Sequence, residues 1–333
     1  MSSTETRPLI SVVTPCYNEE ENVGPMHAKI KEIFATLPAY RYEHIFIDNS
    51  STDRTVAEVK KIAAGDRAVK LIVNARNFGH IRSPVYGLLQ ASGDAVVLMA
   101  ADFQDPPEMV VDFIRKWEEG FKVVVGIKSS SDENFLMFRI RNFYYNFLSK
   151  ISELKITKNY TGYGLYDRAV LEVVKEIDDP YPYFRGLLNY IGFDVAQIEF
   201  HQPVRKFGFT KNNFYSLYDM AMLGIVNHSK VPVRLAAMAG FFMSGMSLLL
   251  AGGVFVAKLL FWNHFTVGIA PILIALFFFS SVLLFFIGML GEYIAAIHTQ
   301  VQKRPLVIEK ERINFDVAAT HRVGRIHTVR AAQ

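Results

Sequence analysis

Short apolar runs alternate with amphipathic stretches over residues 8–127, and the alternation predicts strands followed by helices. Amphipathic helices are predicted at Asn22–Leu37, Ile81–Ala91 and Met109–Glu119, with one more after the capping residues Ser51, Thr52 and Asp53. Strands are predicted at Leu9–Thr14, His44–Asp48, Val69–Asn74, Ala95–Met99 and Val123–Ile127. Because strands that alternate with helices build a mostly parallel sheet covered on both faces, we expect an α/β fold.

The pattern is less regular after residue 130. Residues 135–153 carry phenylalanines at helical spacing, and Tyr181–Ile191 and Val195–Phe200 predict a further helix and strand. Asn213–His228 is amphipathic and leads towards a long apolar stretch, which predicts an interfacial helix lying on a membrane. An ordinary core helix is the alternative for that segment. Leu306–Ile308 predicts a short strand in the C-terminal tail.

The 51% hydrophobic content is not spread evenly, because two stretches near the C-terminus are apolar and uncharged. Leu235–Ala257 contains no charged residue, and neither does Phe265–Gly291. Each is long enough to cross a hydrocarbon core of about 30 Å, and both contain the Gly and Ser residues that favour helix packing in lipid. We therefore predict two transmembrane helices at about 235–257 and 266–291.

The charges beside these stretches predict the orientation of the chain. Lysines and arginines precede the first stretch and follow the second, whereas the residues between them carry none beyond Lys258. The positive-inside rule then places both ends in the cytoplasm, so we expect a multi-pass protein of the inner (plasma) membrane. The single cysteine, Cys16, agrees with a reducing compartment. The net charge of +4 is concentrated near the stretches, which favours anionic lipid over nucleic acid as a partner.

Polar clusters follow three of the predicted strands. They are Pro15–Glu19, Asp48–Ser50 and the segment Ala100–Glu108. Binding sites in parallel sheets gather at the carboxyl ends of the strands. In the third cluster Asp102 and Gln104 supply a carboxylate and an amide oxygen two residues apart, which is a ligand set that suits Mg²⁺ or Mn²⁺. A solvated turn that caps the next helix is the alternative.

The order of these motifs resembles a known family. Pro15-Cys16-Tyr17-Asn18-Glu19, Asp48-Asn49-Ser50-Ser51 and Asp102-Phe103-Gln104-Asp105-Pro106-Pro107 look like the motifs of family 2 glycosyltransferases with a GT-A fold. The nearest subgroup is the polyisoprenyl-phosphate glycosyltransferases, which are relatives of dolichol-phosphate mannose synthase. The resemblance implies a nucleotide-sugar-binding GT-A catalytic domain at 1–212, an interfacial helix at 213–230, two transmembrane helices within 231–297 and a cytoplasmic tail at 298–333.

The resemblance also implies roles for individual residues. A divalent cation, Mg²⁺ or Mn²⁺, would be held by Asp102 and Gln104, and catalysis would depend on Asp102 and Arg205. The residues expected to line the nucleotide are Pro15, Tyr17, Glu19, Asp48 and Asn77. The residues expected to bind the lipid phosphate are Arg139, Arg205 and Lys211.

Three positions depart from the family pattern. Asn49 stands where relatives often have a second Asp, and Ala100 stands where they often supply a metal-site carboxylate. Many relatives carry an acid in a Gly-Asp-Phe segment that is proposed as the base, whereas this chain has Gly162 followed by Tyr163. We expect Asp167, which comes later in that stretch, to cap the next helix.

The sequence thus predicts an inverting hexosyltransferase. It would move a hexose from a nucleotide sugar, most simply a UDP-sugar, to undecaprenyl or another polyprenyl phosphate, and it would self-associate as a homo-oligomer. One alternative is transfer to another glycolipid or to a polysaccharide. A second alternative is a catalytically degenerate membrane scaffold, which the missing carboxylates would favour.

Overall fold

The computed structural model describes residues 7–130, 160–203, 231–261 and 268–315. They form two compact units, one containing residues 7–130, 160–203 and 305–315 and the other containing two long helices. The strands are β1 (Leu9–Cys16), β2 (Arg41–Asp48), β3 (Val69–Asn74), β4 (Ala95–Leu98), β5 (Val123–Ser130), β6 (Tyr160–Asp167), β7 (Val195–His201) and β8 (Glu309–Ile313). The helices are α1 (Val23–Ala35), α2 (Thr55–Gly65), α3 (Gly79–Gln90), α4 (Met109–Glu118), α5 (Arg168–Ile177), α6 (Phe184–Ile191), α7 (Val231–Leu260) and α8 (Ile269–Gln302).

All eight strands belong to one sheet in the order β7-β5-β6-β4-β1-β2-β3-β8. Neighbouring strands run parallel except for β6, which is antiparallel to β4 and β5, and β8, which is antiparallel to β3. The predicted α/β fold with a mostly parallel sheet is therefore confirmed. The two antiparallel strands were not predicted as such, because strand direction depends on pairings that are distant in sequence.

Helices cover both faces of the sheet, as predicted. Side chains of β1 alternate between the faces, so that Val12 packs with α1 and α4 whereas Val13 packs with α3, α5 and α6. A third cluster joins α1 and α2 to β2 and β3 around Phe46. Gly87 lets α3 approach β1 closely, since a Cβ at this position would lie 2.8 Å from Val13 Cγ1. The sheet therefore lies between two layers of helices, and its buried residues pack against both.

Three predicted elements differ from the structure. The helix predicted from Tyr181 begins at Phe184, because Tyr181 precedes a proline and such residues disfavour helical backbone. The strand predicted at Leu306–Ile308 lies at Glu309–Ile313, and Val307 before it is buried instead as an apolar anchor. β6 was not predicted, since two glycines interrupt its apolar pattern. The helices predicted at 135–153 and Asn213–His228 lie outside the described residues.

The second unit contains the predicted transmembrane helices. α7 and α8 include apolar spans at Val233–Ala257 and Ala275–Gln302 that are long enough to cross a membrane. Their large apolar side chains are exposed, as shown by Phe241 at 80% and Leu249 at 78%. Such exposure is typical of lipid-facing helices and indicates membrane association. α8 continues to Gln302, beyond the end predicted near residue 291.

Candidate functional site

The candidate site lies along the edge of the sheet where the parallel strands end. The last residue of β1, Cys16, pairs with Asp48 at the end of β2, and Asp48 pairs with Val73 near the end of β3. β4 is parallel to β1 and ends at Leu98. The loops after these four strands therefore emerge side by side, as is usual for binding sites in parallel sheets. We call this side the carboxyl edge and the opposite side the amino edge.

Left-handed backbone occurs in three of these loops. Asn18, Ser50 and Phe103 have φ of 56°, 67° and 60°, and they follow β1, β2 and β4 respectively. Residues with a Cβ disfavour this region by about 1–2 kcal/mol. Conformations of this kind persist only where surrounding contacts hold them, and they cluster at functional sites. The three loops are therefore held by specific contacts.

Asp48 is the most deeply buried of the predicted nucleotide contacts. Its relative exposure is 0%, and its Oδ2 accepts the N–H of Ser51 at 3.0 Å while its Oδ1 accepts the Ser51 hydroxyl. Burial raises the pKa of Asp48, although the hydrogen bonds from Ser51 act in the opposite direction. Asp48 thus shapes the β2 loop directly, and its predicted contact with the base and ribose stays a prediction.

The other predicted contacts of the β1 loop are partly exposed. Pro15, Tyr17 and Glu19 all have intermediate exposure at the end of β1 or just beyond it. Glu19 Oε2 accepts a hydrogen bond from Asn22 Nδ2 at 2.6 Å, and the Glu19 carbonyl accepts the N–H of Asn22 at 2.9 Å. Glu19 is therefore held just before α1, on the same edge of the sheet as Tyr17 and Asp48.

Asn49 organises the loop that follows β3. Its Nδ2 donates to Asn77 Oδ1 at 3.0 Å and to the Gly79 carbonyl at 3.2 Å. Its Oδ1 accepts from Asn74 Nδ2 at 3.1 Å and from the N–H of Phe78 at 2.8 Å. A carboxylate at position 49 could make only the second pair of bonds, because it has no N–H to donate. The departure at Asn49 is thus a structural feature of this loop.

Asn77 is exposed at the tip of the same loop. Its Oδ1 accepts both Asn49 Nδ2 and the N–H of Gly79, the latter at 2.8 Å. Gly79 has a φ of +85°, so the turn into α3 suits a residue without Cβ. With its oxygen engaged, Asn77 can offer only its NH₂ group to a donor nucleotide. Its role as a nucleotide contact remains a prediction.

Asp102 and Gln104 lie together in the loop after β4. Asp102 is 7% exposed, and its Oδ1 accepts the N–H of Gln104 at 3.2 Å. This bond folds the segment around the left-handed Phe103 and brings the two side chains to the same end of β4. That Asp102 and Gln104 together bind a divalent cation stays a prediction.

Asp105 is a residue of this loop to which the sequence analysis assigned no role. Its Oδ2 accepts the N–H of Ala100 at 2.9 Å and closes the loop. Burial raises the pKa of Asp105 to about 7; the bond from Ala100 lowers it and the nearby charge of Asp102 raises it. The spacing of the two acids in Asp102-Phe103-Gln104-Asp105 was the available signal, because it allows a carboxylate to fold back on its own loop.

The donor groups of this loop fit a hard divalent cation. Asp102 and Gln104 offer only oxygen atoms, which suit Mg²⁺ or Mn²⁺ better than softer metals. Within the part of the chain that the structure describes, no three His, Cys, Asp or Glu side chains converge as a metal cluster. Two protein oxygens would leave much of a six-ligand shell to donor phosphates and water.

The start of β6 lies at the same edge but carries no acid. Gly162 has a φ of +107°, and the Tyr166 hydroxyl donates to its carbonyl at 2.7 Å. Asp167 is at the other end of the strand, where its Oδ1 accepts the N–H of Ala169 at 2.9 Å and caps α5. The prediction that Asp167 is a helix cap is confirmed, and its place at the amino edge separates it from the candidate site.

The predicted lipid-phosphate residues lie outside the described residues. These are Arg139, Arg205 and Lys211. The described residues nearest to them in sequence are at the carboxyl edge, since β5 ends at Ser130, β6 starts at Tyr160 and β7 ends at His201.

Comparisons with known sequences show the family of the chain. A sequence profile described as glycosyl transferase family 2 matches residues 11–174, which include β1–β6. The glycosyltransferase YkcC of Bacillus subtilis (strain 168), itself uncharacterized, is 31% identical over 307 residues, which cover 92% of this chain and 94% of YkcC. The SfII prophage-derived bactoprenol glucosyl transferase of Shigella flexneri is 32% identical over 303 residues, covering 91% and 97%.

Solved structures give more distant matches. The mannosyltransferase PcManGT from Pyrobaculum calidifontis, in complex with GDP-Man and Mn²⁺, is 18% identical with a TM-score of 0.45 and covers 90% of this chain and 89% of its own. Glucosyl-3-phosphoglycerate synthase from Mycobacterium tuberculosis is 19% identical with a TM-score of 0.44, covering 66% and 78%.

Proposed function

The chain belongs to glycosyl transferase family 2, and we propose that it transfers a hexose from a nucleotide sugar to a polyprenyl phosphate in the membrane. It is a glycosyltransferase, as the sequence predicted, and its sheet has the GT-A fold. We favour an active enzyme over a catalytically degenerate scaffold, because the chain retains Glu19, Asp102 and Gln104. We further propose that the donor is UDP-linked, that the sugar is glucose and that the acceptor is undecaprenyl phosphate.

One observation carries this proposal. The chain combines polar loops at the carboxyl edge of its sheet with two helices that are long enough to cross a membrane. A relative named as a bactoprenol glucosyl transferase matches 91% of this chain. Because less than a tenth of the chain lies outside that alignment, the similarity includes the apolar helices as well as the sheet. A lipid acceptor is therefore better supported than a polysaccharide acceptor.

The proposed reaction is a single displacement with inversion. A phosphate oxygen of the lipid attacks the anomeric carbon of the sugar, and the bond from that carbon to the nucleoside diphosphate breaks. The acceptor phosphate is already anionic at neutral pH, so the absence of an acid beside Gly162 is compatible with catalysis. The leaving diphosphate develops negative charge, which positive groups at the site must stabilise.

Asp102 and Gln104 would hold the divalent cation at the end of β4. When bound, the cation would neutralise charge on the leaving diphosphate. Asp48, Tyr17, Glu19, Pro15 and Asn77 would form the nucleotide side of the site. Arg205, Arg139 and Lys211 would bind the acceptor phosphate, for which arginine offers a bidentate geometry that a lysine lacks.

We also propose that the catalytic unit is cytoplasmic and that the chain forms homo-oligomers. The orientation follows from the Lys and Arg residues on both flanks of the helices. It can be tested with Asn263→Cys, since the only native cysteine, Cys16, is buried. In intact cells an impermeant thiol reagent should label this variant from outside, and labelling only after lysis would contradict the orientation.

Donor and acceptor can be identified together. Membranes containing the protein are incubated with polyprenyl phosphate and labelled UDP-glucose, UDP-galactose, UDP-N-acetylglucosamine or GDP-mannose, and the lipids are then extracted. We expect label in the lipid fraction with UDP-glucose, dependent on Mg²⁺ or Mn²⁺ and absent with the unphosphorylated polyprenol. Failure of every donor to label lipid, or equal labelling of the polyprenol, would contradict the proposal.

The acceptor side has its own test. Arg205→Ala should raise the KM for the lipid phosphate about tenfold or more and leave the KM for the donor near the wild-type value, because a charge-assisted phosphate contact is lost. Arg67→Ala, an exposed arginine before β3, is the matched control. An effect confined to the donor KM would remove Arg205 from the acceptor site.

A further inference from the structure

Three consecutive backbone N–H groups in the loop after β1 are bound by side chains from the loop after β2. The N–H of residue 18 donates to Ser51 Oγ at 2.8 Å, and that of residue 19 donates to Thr55 Oγ1 at 2.8 Å. The N–H of residue 20 donates to Asp53 Oδ2 at 3.3 Å. Segment Ser51–Thr55 therefore supplies an oxygen partner for each N–H in this run.

Successive N–H groups around a left-handed residue form a concave nest that commonly binds anions such as phosphate. Asn18, with a φ of 56°, gives this loop that geometry. The nest here already holds two hydroxyl oxygens and the carboxylate of Asp53. These N–H groups are therefore bound by side-chain oxygens of the chain itself.

Thr55 is the central group of this arrangement. It is 0% exposed, and its Oγ1 accepts from the β1 loop while donating to Asp53 Oδ1 at 2.5 Å. The N–H of Thr55 also donates to Asp53 Oδ1, at 2.9 Å. Burial raises the pKa of Asp53, but the hydrogen bonds from Thr55 and Glu20 outweigh it and the pKa is lowered. Asp53 is thus held as a carboxylate.

The contacts also run in the reverse direction. The N–H of Thr52 donates to Asn18 Oδ1 at 2.8 Å, and the N–H of Arg54 donates to Glu20 Oε2 at 3.0 Å. Ser51, which binds the first N–H of the nest, also donates its hydroxyl to Asp48. The two loops are therefore cross-linked at both ends, and Asp48 is part of the same network as the β1 loop.

We propose that Thr55 and Asp53 are positioning residues for donor binding, which fix the backbone that carries Tyr17 and Glu19 relative to Asp48. They would act through that backbone and would not touch the donor. The inference rests on the proposed function only in identifying Tyr17, Glu19 and Asp48 as the nucleotide side of the site. The effect of breaking this network should therefore fall on the donor and spare the acceptor.

The test compares Thr55→Val with Thr55→Ser in the full-length, membrane-embedded protein. Valine has the shape of threonine without the hydroxyl, whereas serine retains it. Thr55→Val should raise the donor KM about tenfold, since the N–H of residue 19 loses its partner and Asp53 Oδ1 loses one of its two hydrogen bonds, while the lipid KM stays within about twofold. Thr55→Ser should restore the donor KM to near the wild-type value.

Thr36 offers a control position within the same unit. Its hydroxyl donates to the Ile33 carbonyl at 2.7 Å at the end of α1. Thr36→Val makes the same substitution and removes a threonine hydroxyl hydrogen bond at a position without a proposed role, so both KM values should remain unchanged. A rise in both KM values for Thr55→Val, or no rise in the donor KM, would overturn the inference.

Hydrogen exchange keeps the inference testable if a variant folds poorly or the wild type is inactive. Amides 18–20 should exchange at least tenfold faster in Thr55→Val than in Thr55→Ser, because their partner network is lost. Asp53→Asn is the second variant, since an amide has one acceptor oxygen and cannot accept from Thr55 on one side and from the N–H of residue 20 on the other; we expect faster exchange at residue 20. Unchanged exchange in both variants would refute the inference, whereas an inactive wild type with the expected exchange would refute only the proposed function.

Discussion

The buried carboxyl groups at the two edges of the sheet have different hydrogen-bond partners. At the amino edge Glu43 pairs with Lys70 at 2.5 Å, and Asp167 pairs with Lys122 at 2.9 Å and accepts from Trp117 at 2.7 Å. Burial raises the pKa of both carboxyl groups, but these partners outweigh it, so that both pKa values are lowered. The charges at this edge are compensated inside the fold.

At the carboxyl edge the corresponding groups bind only neutral donors. Within the described residues, Asp48 accepts hydrogen bonds from the N–H and the hydroxyl of Ser51 and from the backbone of Ser50. Asp105 accepts a hydrogen bond from the N–H of Ala100. Burial raises the pKa of both groups, that of Asp105 to about 7. Perturbed carboxyl groups of this kind are typical of functional sites. The comparison indicates that the amino edge stabilises the charged form of its buried carboxyl groups, whereas the carboxyl edge favours the neutral form of Asp48 and Asp105.

The largest effect on activity is expected at Asp102. Asp102→Asn should lower the transfer rate about 100- to 1,000-fold, because the proposed cation, which would stabilise the leaving diphosphate, would lose its carboxylate ligand. Asp112→Asn, an exposed acid on α4, is the control and should leave the rate unchanged. Full activity of Asp102→Asn in membranes would remove Asp102 from the metal site.

The amino edge should show the converse behaviour. Lys70→Met leaves Glu43 buried without its cation and should lower the free energy of unfolding by about 3–5 kcal/mol. The donor KM should not change. Lys60→Met, which breaks the half-exposed pair with Glu311, should cost at most about 1 kcal/mol. Trp117 fluorescence during denaturant unfolding measures the free energy of unfolding of both variants. A rise of the donor KM in Lys70→Met would contradict the distinction between the two edges.

A smaller effect is expected at Asn49. Asn49→Asp places a carboxylate against the oxygens of Asn77 and Gly79, which should destabilise the β3 loop by about 1–3 kcal/mol and raise the donor KM several-fold. Asn189→Asp, on α6, removes a single bond to the Arg185 carbonyl and serves as control. If Asn49→Asp bound donor as well as the wild type, the amide network would have no role in the site.

The smallest effect concerns pH and the sheet interior between the edges. His44 is fully buried beside Thr14 at 3.0 Å, and burial followed by the neighbouring His27 lowers its pKa well below 6.5. In the unfolded chain His44 takes up a proton near pH 6.5, whereas in the native state it stays neutral to a lower pH. The free energy of unfolding therefore decreases as the pH falls below 6.5.

His44→Gln should remove this loss. Relative to the variant, the wild type should lose up to about 1.4 kcal/mol per pH unit between pH 6.5 and 5.5. The raised pKa of Asp105 acts in the opposite sense in this range, so only the difference between the two proteins is informative. Parallel pH profiles would show that His44 does not titrate as proposed.

The sequence predicted the strands and helices of residues 8–127 because each has a clear period and a polar boundary. β6 escaped prediction because its glycines and tyrosines give no alternation, and its direction depends on pairing with β4 and β5. The charged strand β8 was placed three residues early, since Leu306 and Val307 are anchor residues of the core and not part of the strand. Local periodicity therefore located elements but not their nonlocal pairing.

The candidate site was predictable to a similar extent, in its position but not in its hydrogen-bond network. Acid and amide residues directly after apolar runs pointed to Asp48 and Asp102, because parallel strand ends meet at one edge. The network around Asn49 and the Thr55–Asp53 contacts were not predictable, since they join loops 25–36 residues apart through left-handed turns. From the sequence Asn49 is only a departure from the family pattern, whereas the structure makes it an internal support.

The most direct test of the carboxyl edge as the donor and cation site is a Mn²⁺ binding titration followed by electron paramagnetic resonance with UDP present. The wild type and Asp112→Asn should bind one Mn²⁺ per chain, and EDTA should remove it. Asp102→Asn should bind at least tenfold more weakly, because the loop after β4 loses its charged oxygen ligand. Equal Mn²⁺ affinity in Asp102→Asn and the wild type would contradict the account.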